Sequence, residues 1–224
     1  MIGTHKLLVF DWDGTLMDSA ARIVNSMQAA MRDAGLPVRE PGEIRNIIGL
    51  GLSEAICKLY PEIDATGLER MQDGYRHHFL HADSTPMALF EGARETLDTL
   101  KNRGYWLAVA TGKSRAGLDR ALEETGLAEH FYVTRCADET CSKPAPQMLE
   151  EIMVDFDTEP GHTLMIGDSE YDMLMARNAG TAALAVSYGV HTRERLLEHG
   201  ALDCIDEVTE LSRMMAGPEP DAVA

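Results

Sequence analysis

The sequence predicts an α/β fold, a doubly wound parallel sheet of the Rossmann type with an inserted all-helical cap domain. Two observations support this fold class. Short segments that are apolar throughout recur one helix length apart, as in parallel strands that helices cover on both faces. One long stretch, residues 17–83, interrupts this alternation with helical patterns alone.

Four apolar segments are predicted to form the strands of the sheet. They cover residues 7–10, 106–111, 163–166 and 182–186. Helical patterns lie between and after them, at residues 92–103, 115–125, 145–156, 170–179 and 192–199. Alternation of strands and helices predicts right-handed crossovers that join parallel neighbours.

Residues 17–83 are predicted to form the cap, a separate helical domain inserted after the first strand. The first cap helix has apolar residues at helical spacing and is expected to stop at Gly35. Turn-forming prolines and glycines separate it from three further helices, expected at residues 42–48, 52–59 and 66–81.

The predicted domain organisation follows from this insertion. The core domain comprises residues 1–16 and 84–216, and the connections near 14–18 and 82–87 are expected to act as hinges. The segment 217–224 is expected to be a flexible tail, since it is short, polar and terminal.

The composition excludes several function classes. The chain has 224 residues, is 45% hydrophobic and carries a formal net charge of −17. No basic stripe is present to release counterions, so neither nucleic acid nor an anionic membrane is expected as a partner. No apolar segment approaches the roughly 18 residues that mark a membrane-spanning helix.

A cytoplasmic location is expected. The N-terminal segment lacks the basic region and long apolar region of a secretory signal. None of the cysteines belongs to a CxxC pair, which favours reduced thiols over a zinc site.

Three polar clusters follow predicted strands at the point where each strand ends. They are Asp11-Trp12-Asp13-Gly14-Thr15, Thr111-Gly112-Lys113-Ser114 and Gly167-Asp168-Ser169-Glu170-Tyr171-Asp172. Ligand sites in open parallel sheets form beyond the carboxyl ends of the strands. We therefore expect these sequence-distant clusters to converge on one crevice.

The residue types in these clusters suit phosphoryl chemistry. The carboxylates of Asp11, Asp13 and Asp168 are hard oxygen ligands of the kind that Mg²⁺ prefers. An aspartate beside Mg²⁺ can attack phosphorus to give an aspartyl-phosphate, and a second carboxyl can move the proton. Lys143, the Thr111 hydroxyl and the Gly112 amide can neutralise the charge of the phosphoryl group.

Each signal also has an ordinary structural explanation. The D-x-D-x-T string could be an Asx turn, Asp168 a helix N-cap, and Thr111-Gly112 a simple loop entry. Lys143 could be a solvated residue at the start of a helix. The joint order, spacing and strand-end placement of the clusters favour a site.

The sequence resembles a known family at four motifs. "DWDGT", "ATGK", "SKPAP" and "GDSEYD", in that order, are similar to the four motifs of the haloacid dehalogenase superfamily. The helical segment at 17–83 resembles the small cap of its phosphoglycolate-phosphatase-like branch. The resemblance covers nearly the whole chain and implies the superfamily's core fold.

The resemblance implies a role for each motif residue. Asp11 would be the nucleophile and a Mg²⁺ ligand, and Asp13 the general acid and base, giving its backbone carbonyl to the metal. Thr111 and Lys143 would hold the phosphoryl group. Asp168 would bind the metal, and Asp172 would orient Lys143 or support the metal shell. Thr15 is expected to tie down the turn that Gly14 permits.

Several other residues have competing interpretations. Arg45 is a candidate contact for a substrate carboxylate, or a solvated helix residue. Lys113 could reach a substrate anion or be a surface lysine. Lys58 is interpreted as a helix-surface lysine rather than a Schiff-base residue. The segment "GLGLSE" at 49–54 is expected to be a cap loop facing the site rather than a dinucleotide loop.

The sequence thus predicts a Mg²⁺-dependent phosphatase that acts on a small phosphorylated metabolite, phosphoglycolate-like or a sugar phosphate. The carboxylate at Asp13 argues against dehalogenases and phosphonoacetaldehyde-type hydrolases, which lack one there. The alternatives are a sugar phosphomutase of the same branch and a non-catalytic binding or regulatory module. A monomer or a homodimer is expected.

Overall fold

The structure is a computed structural model, and it describes residues 5–215. Within that range the strands, in chain order, are β1 (Leu7–Phe10), β2 (Met17–Asp18), β3 (Ala88–Leu89), β4 (Trp106–Thr111), β5 (Val133–Cys136), β6 (Thr163–Gly167), β7 (Ala182–Val186) and β8 (Asp203–Ile205). The segment 217–224, predicted to be a tail, lies outside the described residues.

Helices occur both in the cap segment and in the part of the chain that follows it. Those of the cap segment are α1 (Ala20–Asp33), α2 (Pro41–Arg45), α3 (Leu52–Leu59) and α4 (Ala65–His77), and a π-helical turn (His78–Ala82) continues α4. Those that follow are α5 (Ala93–Asn102), α6 (Arg115–Thr125), α7 (Gln147–Asp155), α8 (Glu170–Ala179), α9 (Arg193–Glu198) and α10 (Thr209–Met214).

The main sheet has six parallel strands in the order β5-β4-β1-β6-β7-β8. Strand β1 is central, pairing Leu7 with Trp106 of β4 on one side and with Thr163 of β6 on the other. The chain moves outward from β1 in both directions, which is the doubly wound arrangement predicted from the sequence.

Both faces of the sheet are buried, as its apolar strands predict. Leu8 and Phe10 point into one apolar cluster, whereas Leu7 and Val9 point into a second cluster on the opposite face. All four side chains are fully buried. Burial of each such side chain contributes about 1.5–3 kcal/mol, so this strand anchors the residues that follow it.

The strands that the sequence did not predict lie at the two edges of the sheet. Strand β5 is only partly buried and reads Val-Thr-Arg-Cys, and β8 has three residues, the first of them an exposed aspartate. Edge strands need no apolar covering on both sides, so their sequences lack the wholly apolar pattern that predicts a buried strand.

The cap segment has an apolar cluster of its own. Met27 and Met31 of α1 pack there with Ile44 of α2, Ile56 of α3 and Met71 of α4. Helix α3 has the predicted bounds, and α1 gives way to Gly35 at a positive φ of 69°. Helix α2 is shorter than expected, because tight turns follow it from Asn46.

The two connections between the cap segment and the sheet are paired with each other. Met17 and Asp18 form a short antiparallel ribbon with Leu89 and Ala88. Met17 also packs into the core cluster. This ribbon lies where hinges are predicted, and the domain boundaries remain a prediction.

No helix within residues 5–215 has the length and hydropathy needed to cross a bilayer. All of the cysteines are free thiols: Cys136 and Cys204 are buried, and Cys57 and Cys141 are exposed.

Candidate active site

The three predicted polar clusters meet at the carboxyl edge of the sheet. Asp11 directly follows β1, and its backbone N–H donates to the carbonyl of Ile166 on β6 at 2.9 Å. On the other side of β1, strand β4 ends at Thr111. The central position of β1 therefore brings both neighbouring strand ends to Asp11.

Three buried carboxylates lie together there. One carboxylate oxygen from each of Asp11, Asp168 and Asp172 falls within 4.8 Å of the others. The Lys143 ammonium lies 2.9 Å from Oδ1 of Asp11 and 2.6 Å from Oδ1 of Asp172. The cluster thus contains one buried ammonium and three buried carboxyl groups, which leaves an excess of negative charge.

Burial, together with the charges in the cluster, perturbs the pKa values of its members. Burial raises the pKa of Asp11 to about 7; the Lys143 ammonium opposes this rise, and the charge of Asp172 adds to it. Burial, followed by the charges of Asp11 and Asp172, raises the pKa of Asp168 well above its ordinary value. Burial alone would lower the pKa of Lys143, but Asp11 and Asp172 raise it.

Asp168 is held by hydrogen bonds at both carboxylate oxygens. The Thr15 hydroxyl donates to Oδ1 at 3.0 Å, and the Val190 backbone N–H donates to Oδ2 at 2.9 Å. Thr15 thus ties the turn after β1 to the carboxylate of Asp168. The Val190 contact was not predicted, since no sequence pattern connects it to Asp168.

Two glycines leave just enough room for Asp168. A Cβ on Gly14, where φ is +85°, would lie 2.1 Å from Asp168 Oδ2. A Cβ on Gly189 would lie 2.2 Å from Asp168 Cβ. Real Cβ atoms do not approach this closely, so both positions require glycine for packing, and Gly14 also requires it for its backbone conformation.

Asp172 orients Lys143 from the first turn of α8. Its Oδ2 accepts hydrogen bonds from the backbone N–H of Ser169 at 3.0 Å and from the Ser169 hydroxyl at 2.6 Å, which completes a capping box. Its Oδ1 then faces Lys143. The rigid first turn of the helix therefore fixes the position of the ammonium beside Asp11.

Asp11 has one oxygen without a partner. Its Oδ1 accepts from the Trp12 backbone N–H at 2.7 Å and faces Lys143, whereas the buried Oδ2 has no hydrogen-bond partner among residues 5–215. A buried carboxylate oxygen with no partner is costly. The vacant lone pairs and the excess negative charge fit a divalent cation, and Asp11 and Asp168 are the carboxylates that could hold it.

Asp13 occupies a different environment from the buried cluster. Its carboxylate accepts from the Ser19 hydroxyl at 2.6 Å and from the Lys113 ammonium at 2.9 Å to each oxygen. The predicted metal ligands are Asp11, Asp13 and Asp168, whereas the buried cluster consists of Asp11, Asp168 and Asp172. The part that the resemblance implies for Asp13 at the metal, through its backbone carbonyl, remains a prediction.

A cavity of about 410 Å³ opens onto Asp11 and Asp13. Its lining on the core side includes Asp11, Asp13, Thr111, Gly112 and Lys113. The cap contributes the loop around residues 47–55 and one side of α4. The "GLGLSE" loop therefore faces the site, as the sequence predicts.

The cap lies directly against the core at this cavity. The backbone N–H of Gly51 donates to Ser142 Oγ at 2.7 Å. The Tyr171 hydroxyl donates to the carbonyl of Asn46 at 2.7 Å and accepts from Lys58 Nζ at 2.8 Å. Lys58 is exposed, as predicted of a surface lysine, but it also holds the cap to the core.

The cap residue that the sequence offers as a substrate contact lies away from the cavity. Arg45 is exposed and is not among the lining residues, whereas Arg76 of α4 is. The sequence does not distinguish these two arginines, since both lie in predicted helices of the cap.

Comparisons with known proteins agree with this geometry. The family model described as "Haloacid dehalogenase-like hydrolase" matches residues 8–186. The probable phosphatase IndB of Dickeya dadantii is 36% identical over 196 residues, covering 85% of this chain and 84% of that protein. A phosphoglycolate phosphatase of Vibrio vulnificus is 31% identical over 204 residues, covering 84% and 86%.

Solved structures show the same fold. The crystal structure of a hydrolase from Pseudomonas syringae superposes with a TM-score of 0.86 at 23% identity, covering 94% of this chain and 97% of that one. At this identity the similarity concerns the fold alone.

Proposed function

Because this chain belongs to the haloacid dehalogenase-like hydrolase family, whose named relatives are phosphatases, we propose that it is a Mg²⁺-dependent phosphatase. Its substrate is a small phosphorylated metabolite, hydrolysed through an aspartyl-phosphate on Asp11. The observation that carries this proposal is the different environment of two aspartates on one cavity: Asp11 has a buried oxygen without a hydrogen-bond partner in the described part of the chain, and Asp13 is held by Ser19 and Lys113.

In the first step, a carboxylate oxygen of Asp11 attacks the phosphorus atom and the ester P–O bond breaks. Asp13, in its protonated form, donates the proton that the leaving oxygen needs. In the second step, water attacks the phosphorus of the aspartyl-phosphate and Asp13 accepts a proton from that water. The bond between phosphorus and the Asp11 oxygen breaks, which releases inorganic phosphate and restores the Asp11 carboxylate. Two easier displacements replace one difficult displacement.

The other polar residues stabilise the transferred group. Thr111 ends β4 on the cavity, so that its hydroxyl and the amide of Gly112 can donate to phosphoryl oxygens. Lys143, fixed by Asp172, supplies positive charge beside the nucleophile. A Mg²⁺ ion held by Asp11, Asp168 and the backbone carbonyl of Asp13 would neutralise phosphoryl charge and offset the repulsion among the carboxylates.

The cap is proposed to close the site. Its loop at residues 49–51 lies against Gly112, where a Cβ would be 2.4 Å from the carbonyl oxygen of Leu50. Closure at this point excludes bulk water and brings cap side chains to the leaving group.

A phosphatase panel with Mg²⁺, repeated with EDTA, tests the proposal. We expect phosphate release that depends on Mg²⁺ and that falls to background in Asp11→Asn, with the circular dichroism spectrum unchanged. Phosphate release by Asp11→Asn at the wild-type rate would contradict the nucleophile assignment.

Two other outcomes correspond to the alternatives. Conversion of a hexose 1-phosphate without loss of phosphate would identify a phosphomutase. Inactivity across the panel, at saturating Mg²⁺, would favour a non-catalytic binding module.

A further inference from the structure

The cap side of the cavity is mainly apolar. Tyr75 and Phe79 stack with their ring centroids 5.6 Å apart and their planes at 26°. The other apolar side chains that the cap contributes include Ile23, Met27, Ile48 and Leu52. A leaving group that reaches this wall therefore meets aliphatic and aromatic surface.

The charged side chains of the cavity do not favour an anionic leaving group. Lys113 and Arg76 are the cations among the described lining residues. Lys113 forms an ion pair with Asp13 at 2.9 Å, and Arg76 forms one with Asp73 at 3.0 Å.

Carboxylates outnumber these cations on the same cavity. Besides Asp11 and Asp13, its lining includes Glu54 and Asp138. A second carboxylate or phosphate on the substrate would meet this negative field, with no unpaired cation among the described lining residues to offset it.

The volume of the cavity also favours a substrate with a bulky leaving group. Small-molecule sites commonly have volumes of about 300–1,000 Å³, and this cavity measures about 410 Å³. A phosphate ester with a two-carbon leaving group would leave most of the cap wall uncovered. A ring or a branched alkyl group on the leaving alcohol would cover it.

We propose that the substrate is a phosphomonoester whose leaving group is uncharged and carries an aromatic or bulky apolar part. That part packs against Tyr75, Phe79 and the aliphatic side chains beside them, while the phosphoryl group lies at Asp11. This inference rests on the proposed phosphatase function and names the substrate class for the same site.

A matched pair of esters tests the inference. Ethyl phosphate and 2-phenylethyl phosphate both release primary alcohols and differ in the phenyl group. We expect kcat/KM to be about tenfold or more higher for 2-phenylethyl phosphate, since apolar contacts in a pocket discriminate on this scale. We expect 2-phosphoglycolate, which carries a carboxylate in place of the methyl group of ethyl phosphate, to be no better a substrate than ethyl phosphate.

Variants locate the preference within the cavity. Phe79→Ala removes one of the stacked rings and is expected to bring the ratio of the two kcat/KM values towards one. Val154→Ala is the matched control, because Val154 lies on α7 outside the cavity lining and is 78% exposed. That control should keep the wild-type ratio.

A binding measurement covers the case in which Phe79→Ala does not fold. Titration of the wild-type protein with 2-phenylethylphosphonate and ethylphosphonate, in Mg²⁺, should give about tenfold tighter binding of the phenyl compound. Equal kcat/KM for the two esters, a preference for 2-phosphoglycolate, or equal phosphonate affinities would overturn the inference. Absence of hydrolysis of every ester would instead contradict the proposed function, and the phosphonate titration would still decide the substrate class.

Discussion

The ammonium of Lys143 lies 2.6 Å from Oδ1 of Asp172, and both side chains are fully buried. The same ammonium is 2.9 Å from Asp11. Asp172 is itself held by Ser169, so a chain of contacts runs from the start of α8 to the proposed nucleophile. The lysine thus has a structural role, which is to balance buried carboxylates, besides any role in binding the phosphoryl group.

Lys143→Met is therefore expected to affect both folding and activity. It leaves Asp11, Asp168 and Asp172 with no cation in the cluster, and removing one partner of a buried ion pair costs about 3–5 kcal/mol. Urea unfolding without metal measures the loss, and phosphate release measures activity. A metal-free variant as stable as the wild type would show that the carboxylates do not need the ammonium.

The loss of activity in Asp13→Asn is expected to depend on the leaving group of the substrate. Proton transfer by a positioned side chain contributes about 10²–10⁴-fold, so alkyl phosphate hydrolysis should fall by this factor. p-Nitrophenyl phosphate releases a stable phenolate and should lose much less. Parallel kcat/KM measurements on both esters check this, and equal losses on the two would contradict a role for Asp13 as general acid.

Gly112→Ala is expected to displace the cap loop. The new Cβ would lie 2.4 Å from the carbonyl oxygen of Leu50 and 2.7 Å from that of Gly49, both of them backbone atoms that cannot rotate away. A displacement of about 1 Å at a catalytic site can cost about 10²-fold, so kcat/KM should fall by about 10- to 100-fold.

The matched control for this substitution is Gly161→Ala. A Cβ at Gly161 meets no atom within 4 Å, so activity should be unchanged. Limited proteolysis of the loop at residues 49–51 should be faster in Gly112→Ala than in either the control or the wild type. Wild-type kcat/KM in Gly112→Ala would show that the cap does not need this contact.

His191 is expected to make stability depend on pH. Burial, aided by the nearby Arg195, lowers the pKa of His191 from 6.5 to about 4, although Glu170 opposes the shift. Its Nδ1 accepts from the Glu170 backbone N–H at 2.9 Å, an arrangement that requires the neutral ring. Between pH 6.5 and 4 the unfolded chain binds a proton at His191 that the folded chain does not bind. The contribution of neutral His191 to the free energy of unfolding is therefore complete above pH 6.5 and is lost as the pH falls towards 4.

His191→Asn isolates the effect, since an amide oxygen can accept the same hydrogen bond without titrating. Between pH 7 and pH 5 the wild type should lose about 2 kcal/mol more unfolding free energy than the variant. Urea unfolding at the two pH values measures this, with His162→Asn, at an exposed position, as the control. Equal losses in His191→Asn and the wild type would contradict the assignment.

Local sequence patterns predicted much of the fold. The segments that became β1, β4, β6 and β7 are apolar throughout, because both faces of a parallel sheet are covered. The polar clusters after them mark the carboxyl edge, because strands of one sheet end together there. Edge strands such as β5 lack that pattern, and they were found only in the structure.

The sequence by itself determined the fold class, the positions along the chain of the strands that carry the polar clusters, and the residue types available for phosphoryl chemistry. These depend on periodicity and on chain topology, which are local or nearly so. Only the tertiary structure decided which partner each charge has. It paired Lys113 with Asp13, placed Asp172 in the buried cluster, and left Arg45 outside the cavity. Such pairings depend on distances between residues 100 or more positions apart along the chain, and packing, not local sequence, sets those distances.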